Sequence, residues 1–287
     1  MSRAGGGSSR AGGGSSRAGE RSSRAGGGSS GALAYARRAG RWYPVAVLLL
    51  AWEILSRSDA LPRRLVPGLI EIARTFAAEF WSGEIPYQAG ISLARAFSGF
   101  GLAILCGIVL GLLMARVRWI ESVFEPLFAF TYPVPKIALY PVFIFVFGLG
   151  SLSKVALIFF ECLYPITVNT YYGIQSVERK QIWSARNMGA TGAQVFWKVL
   201  LPAAGPSIFA GLRVALPISL IVVIITEMIG ESRGLGYYIS YATASFEYAQ
   251  AFAGVLTIAV IGFLFDRLLI SLRNRIIFWE RIAGAYA

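Results

Sequence analysis

Hydrophobic positions along this chain gather into long uninterrupted runs, not into alternating or heptad patterns. Six runs stand out, at about Trp42–Leu55, Ser92–Ala115, Phe124–Phe147, Leu152–Tyr172, Ile208–Ile229 and Phe252–Leu272. Most approach the roughly twenty apolar residues that a helix needs to cross a bilayer core of about 30 Å. Backbone polar groups find no water in that core, so runs of this length are read as helices; a barrel would need short alternating segments. The pattern predicts an all-α membrane protein with six transmembrane helices. The first run is short and follows Arg37, Arg38 and Arg41, as in a signal peptide. The small-x-small triplet that follows it, Ser56-Arg57-Ser58, is a poor cleavage site, and the run is read as an uncleaved anchor.

Two polar segments between the runs carry their own pattern. In Pro67–Trp81, Leu69, Ile72, Ala73, Phe76 and Phe80 recur at helical spacing, with Glu71, Arg74 and Glu79 on the other face. This predicts an amphipathic helix lying on the membrane or against the ends of the spans. The second segment, Gln181–Pro202, reads QIWSARNMGATGAQVFWKVLLP. Its spacing predicts a helix over Ile182–Met188 and another over Ala193–Leu200, the latter with Val195, Phe196, Val199 and Leu200 as its apolar set. Gly189 between them permits a conformation or an approach that a side chain would obstruct. Pro202 is expected to end the second helix. An ordered, basic connection of this length is a docking surface more than a linker.

Composition agrees with the pattern. Of 287 residues, 56% are hydrophobic and 15% charged, against about 25% charged in a soluble domain. The net charge of +12 invites a nucleic-acid reading, but five arginines lie in the first 24 residues and many others flank the apolar runs. No basic patch interleaved with aromatics appears, so no nucleic acid is expected. Arg116, Arg118, Arg179, Lys180, Arg186, Lys198, Arg273, Arg275 and Arg281 would fall on one side of the membrane; Arg57, Arg63, Arg64, Arg74, Lys154 and Arg233 would fall on the other. This asymmetry predicts both termini in the cytoplasm. Histidine is absent, and Cys106 and Cys162 each lie inside an apolar run. No metal site, nucleotide-binding loop or catalytic constellation is expected, so the chain is not read as an enzyme.

Ahead of the first run, residues 2–29 are four copies of a seven-residue unit, SRAGGGS in three of them and SRAGERS in Ser16–Ser22. No apolar residue larger than alanine is present to build a coiled-coil seam, and a disordered cytoplasmic tail over 1–31 is expected. The rest divides into a first span with the amphipathic helix (32–89), a transmembrane core (90–279) and a cytoplasmic tail (280–287).

The Gln181–Pro202 segment resembles the signature loop of permease subunits of binding-protein-dependent ABC importers. That loop is written Glu-Ala-Ala, three residues, Gly, nine residues, Ile, one residue, Leu-Pro. Ser184 and Ala185 take the second and third positions, Arg186 and Gly189–Ala190 follow at the right distance, and Val199, Leu201 and Pro202 close the pattern. The departure is Trp183, which stands where the family has glutamate. Further likenesses to the sulfonate/taurine/nitrate/bicarbonate branch are Ser92, Arg95 and Phe97–Gly101; Tyr132–Pro141 with Phe147–Gly150; and Ala210–Arg213, Glu227–Met228 and Gly234–Tyr237. Together they extend from Pro67 to Trp279.

The resemblance implies a MetI-like ABC type-1 transmembrane domain in a bacterial inner membrane, acting as the pathway for a small solute, an anion such as a sulfonate, taurine or nitrate. It implies a second, identical permease subunit, an external solute-binding protein, and ATPase subunits that bind ATP and Mg and engage Trp183–Ala190 and Val199–Pro202. Pro133, Pro135 and Pro141 either hinge the third span or serve its static packing. Intramembrane acids are costly, which singles out Glu53, Glu161, Glu227 and Asp266; Glu161 and Glu227 are candidates for the pathway, and Asp266 for a pair with Arg267 or a neighbouring helix. The alternative, a secondary transporter driven by an ion gradient, would need an inverted repeat that the sequence does not show.

Overall fold

The computed structural model describes residues 43–58 and 65–279. The repeat tail over 1–31, the tail over 280–287, and Arg37, Arg38, Arg41, Arg63 and Arg64 lie outside the described residues. Helix α1, Tyr43–Arg57, has 15 residues and closes on an ion pair between Glu53 and Arg57 one turn apart. It is shorter than the roughly twenty residues a perpendicular crossing takes.

The remaining helices form one compact unit. Helix α2 is Leu69–Trp81, the amphipathic element, with Ile72 buried. Phe76 packs against a buried cluster that includes Ile85, Tyr238, Ile239 and Ala251, so α2 leans on other helices. Helix α3, Glu84–Arg116, has 33 residues and starts eight residues ahead of the apolar run Ser92–Ala115. Its early turns carry Gln88, which lies ahead of the predicted run, and Ser92 and Arg95 at the start of that run. They are helical because each is buried and hydrogen-bonded.

The third run is not one helix. It comprises α4 (Arg118–Thr131), a short 3₁₀ turn (Lys136–Leu139) and α5 (Tyr140–Phe147), with an 88° bend between the halves. Tyr132 keeps helical dihedrals (φ −56°, ψ −49°) although Pro133 follows it, so the break comes later, where Val134 precedes Pro135 and Pro135 itself is extended at φ −69° and ψ +97°. Pro141, by contrast, sits in the first turn of α5, where its missing N–H costs no hydrogen bond.

Helices α6 (Ser151–Gln175), α7 (Arg179–Asn187), α8 (Gly192–Glu227), α9 (Leu235–Ala244) and α10 (Tyr248–Ile276) complete the chain. Among the described residues, α3, α6, α8 and α10 are long and apolar enough to cross a membrane, and the bent pair could make a fifth span.

The core lies where α3, α6 and α8 meet. A Cβ at Gly99 would stand 2.7 Å from the Cβ of Ile158, one at Gly107 2.9 Å from Ile166 Cγ2, and one at Gly111 2.7 Å from the Thr167 carbonyl oxygen. With the fully buried Ala103, these positions make a stripe of small residues at four-residue spacing that draws α3 onto α6. Gly211 does the same for α8, since a Cβ there would be 2.8 Å from Asn169 Cβ. Leu157, Ile158, Cys162, Ile166, Ala215 and Val223 fill the seam, each essentially fully buried. In lipid such close approach supplies the packing attraction that hydrophobic exclusion supplies in water.

Candidate functional site

Two constellations occupy opposite ends of the α3–α6–α8 bundle. The first is the polar connection between α6 and α8. Helix α7 ends on Gly189, whose φ of +84° is left-handed. The Gly189 N–H donates to the Arg186 carbonyl at 2.9 Å and the Ala190 N–H to the Ala185 carbonyl at 3.1 Å. Such a pair satisfies carbonyls that a helix C-terminus leaves open. A Cβ at Gly189 would meet nothing within 4 Å, so the glycine is there for its backbone conformation and not for close approach. Thr191 then caps α8: its hydroxyl accepts from the Gln194 N–H, and the Gln194 side chain accepts from the Thr191 N–H.

Ala185 and Val195 are buried at the join, while Trp183, Met188 and Trp197 are 61%, 79% and 64% exposed. Ser184 and Arg186 are exposed; Ala190, Val199, Leu201 and Pro202 are half-buried. The Arg116 guanidinium lies over the Phe196 ring at 5.2 Å, which ties the end of α3 to the loop. Beside the join runs an open groove of about 810 Å³, with Lys180, Ser184, Met188, Lys198 and Pro202 among its walls.

One expectation is corrected here. Pro202 does not end the second loop helix: Gly192–Glu227 is continuous over 36 residues. Ahead of the proline, Phe196–Leu200 widens into a π turn, in which the Leu201 N–H donates to Phe196, five residues back. The wide turn accommodates a residue without an N–H while keeping the axis. Helix α8 therefore begins in the signature loop and, at about 1.5 Å per residue, reaches the far end of the bundle.

At that far end is the second constellation. Glu227, the last residue of α8, is 1% exposed. One carboxylate oxygen accepts from Arg95 Nη1 at 2.9 Å; the other accepts from the Ser92 hydroxyl at 2.6 Å and the Gly236 N–H at 3.1 Å. Arg95 also donates to Ser151 at 3.0 Å, to the Arg233 carbonyl at 3.1 Å and to Glu231 at 3.3 Å. Lys154, fully buried, donates to Glu231 and to the Leu149 carbonyl, the latter at 2.9 Å.

The turn after α8 closes over this network. The Leu235 N–H donates to Ser92 at 2.8 Å and the Gly234 N–H to Gln88. Gly234 has φ +111°, and a Cβ there would collide with the Glu227 carboxylate. Two cations face two carboxylates, so the charge balances, which a buried cluster requires. Burial alone would raise the Glu231 pKa, but the hydrogen bond and charge of Lys154, with Arg95 behind, outweigh it and hold that carboxyl below its ordinary value.

Glu227 thus acts as a strut in this structure, with both oxygens engaged. Of the network, Ser92, Arg95 and Glu227 are singled out in the sequence and Lys154 is counted only as a flanking charge; Gln88, Ser151 and Glu231 are missed. Their signal is weak, since polar residues at the ends of spans are ordinary. Glu161 is half-buried on α6. Pro133 and Pro135 are exposed in the break, and Pro141 is exposed at the start of α5. Asp266 pairs with Arg213 of α8 at 2.9 Å and not with Arg267, which lies over Phe263.

Comparison with known proteins agrees with this geometry. Residues 104–277 match the family described as binding-protein-dependent transport system inner membrane component. A Bacillus subtilis permease protein provisionally named for aliphatic sulfonates transport is 32% identical over 82% of this chain and 85% of its own length. The formylaminopyrimidine transport permease protein of Halalkalibacterium halodurans is 33% identical over 82% of this chain and 93% of its own. A crystal structure of an amino acid ABC transporter shares the fold, with TM-score 0.54 at 18% identity over 73% of this chain and 95% of that one.

Proposed function

Because the chain belongs to the family of binding-protein-dependent transport system inner membrane components, we propose how its two constellations serve as the permease subunit of an ABC importer. The Gln181–Pro202 loop faces the cytoplasm and receives an ATPase subunit in the groove beside Gly189; the Arg95–Glu227 cluster lies at the external end. Both termini are cytoplasmic, in a bacterial inner membrane, and an external binding protein delivers the solute. The chain makes and breaks no bond; ATP and Mg belong to the ATPase.

The observation that carries this reading is the continuity of α8. A helix that starts in the exposed loop and finishes at Glu227 can convey a push on Trp183, Met188 and Trp197 to the charge cluster at the other end. Exposed aromatics and methionine on an ordered loop are the composition of a protein contact. The Trp183 side chain, in place of the family's glutamate, supplies an apolar contact where relatives offer a charge. A second copy of the chain completes the pathway. Arg213 and Asp266 are 59% and 36% exposed although they lie within spanning helices, and such a pair faces protein or water, not lipid.

The cargo is a small anion of the sulfonate, taurine or nitrate kind, supported by the relative named for aliphatic sulfonates. The test is uptake into proteoliposomes holding this chain with an ABC ATPase and a solute-binding protein from the same organism. Uptake is expected to require ATP, the ATPase and the binding protein. Uptake by this chain alone, driven by an ion gradient and indifferent to ATP, would show a secondary transporter instead.

A further inference from the structure

Relatives of nearly equal likeness are named for cargo as different as aliphatic sulfonates and a formylaminopyrimidine, so family membership leaves the solute open. A cavity at the broken span bears on the choice. A pocket of about 390 Å³ is lined by both halves of the bent span and by α6. Phe128, Phe143, Phe160, Leu163 and Tyr164 supply its apolar walls, and among the described residues Lys136 is the only charged one lining it. Glu161, on the same helix as three of these, is not part of the lining.

The depth of the pocket follows from Tyr164, which stands near the middle of α6. The Lys136 ammonium lies 5.6 Å from the centroid of the Tyr164 ring. Lys136 therefore sits near the midplane of the bundle, in the non-helical stretch between α4 and α5. Among the described residues no carboxylate pairs with it and no carbonyl accepts from it; its one recorded contact is the ring. Both facts point the same way. Irregular backbone at membrane depth persists only where it is covered by protein or lines a cavity. An intramembrane cation without a counter-charge is costly and marks a pathway or a ligand. Lys154, the other lysine held by α6, shows what a settled cation looks like here, with Glu231 and two carbonyls around it.

We propose that this cavity is a substrate subsite for a small organic monoanion with a short apolar tail, such as an alkanesulfonate. The headgroup pairs with Lys136 and the tail lies between Phe128, Phe143 and Phe160. The volume falls in the range of small-ligand pockets. Bare nitrate would use the charge and leave the aromatic walls idle; a neutral pyrimidine would use the walls and leave the lysine unpaired. The inference rests on the importer reading and deepens it.

The test is binding of butanesulfonate to the purified chain in nanodiscs, read by saturation-transfer NMR on the butyl protons, for the wild type, Lys136→Met and Lys136→Arg. Methionine keeps the length of the side chain without its charge. Binding is expected in the wild type and in Lys136→Arg and to be lost in Lys136→Met. Each methylene buried in the tail pocket multiplies affinity roughly fourfold. Butanesulfonate should therefore exceed ethanesulfonate by on the order of tenfold, and nitrate should compete poorly. Equal binding by the wild type and Lys136→Met, or no binding by the wild type, would overturn the subsite. So would nitrate competing as well as butanesulfonate. The measurement uses neither ATPase nor binding protein. ATP-driven butanesulfonate uptake without Lys136-dependent binding would sink the subsite alone, and Lys136-dependent binding with ATP-independent uptake would sink the importer reading alone.

Discussion

Arg95 and Glu227 are 132 residues apart in the chain and 2.9 Å apart in space. The contact joins the start of α3 to the end of α8, and both side chains are buried. Removing one partner of a buried pair strands the other and costs roughly 3–5 kcal/mol. Glu227→Ala is expected to lower the thermal midpoint of the detergent-solubilised protein sharply. The double variant Arg95→Met/Glu227→Met should recover part of that loss, because neither charge is stranded and Glu231 keeps Lys154. Losses that simply add in the double variant would contradict the pairing.

Gly189 holds its left-handed φ in open space. A β-branched residue there meets only the backbone penalty, of about 1–2 kcal/mol. Gly189→Val should leave the membrane core and its melting intact yet misdirect the loop, so that ATP-driven uptake falls while the ATPase keeps its basal rate. Gly189→Asn, which tolerates this conformation, should retain more transport. Wild-type uptake by the valine variant would remove the loop geometry from the coupling.

The close approach of α3 and α6 makes Gly107 and Gly101 unequal. A Cβ at Gly107 would press on Ile166 at 2.9 Å, whereas one at Gly101 meets nothing within 4 Å. Gly107→Val should cost about 1–3 kcal/mol by overpacking. Gly101→Val should be within about 0.5 kcal/mol of wild type. Equal midpoints for the two variants in a thermal melt would refute the packing.

Glu231 has its pKa held below the ordinary carboxylate value by Lys154 and Arg95. A depressed folded-state pKa means stabilisation that is complete above the unfolded value, about 4.3, and lost as pH falls through the folded one. The stability gap between wild type and Glu231→Gln is therefore expected to be constant from pH 7 to about pH 5 and to shrink only in stronger acid. Denaturant titrations across that range check it; a gap that closes near neutrality would mean the ion pair is not formed.

The helical membrane class and the signature loop were legible because both are local. A run of apolar residues identifies a span without reference to its neighbours, and the sequence around Gly189 already places a helix end and a helix start. The amphipathic α2 was equally plain, though Phe80 of its apolar face is left exposed while Ile72 is buried. Hydropathy failed at Gln88, a polar residue that is helical ahead of the predicted run, and the proline rule failed at Pro202, where a π turn upstream keeps the helix going.

The sequence alone determined that the chain is a helical membrane protein and which segment leaves the spans as an ordered loop; that the third run is broken and that the first helix has only 15 residues came from the structure. Hydropathy, glycine and proline act over a few residues, so their consequences can be read in order along the chain. Only the tertiary structure decided which charges meet: Asp266 takes Arg213 from another helix, since adjacent residues such as Arg267 point to different sides. It also decided that Glu227 is a strut and that Lys136 lies over the Tyr164 ring, with no carboxylate partner among the described residues. Pairing in a low-dielectric interior depends on distance in space, and helices that cross side by side bring together residues that the chain keeps far apart.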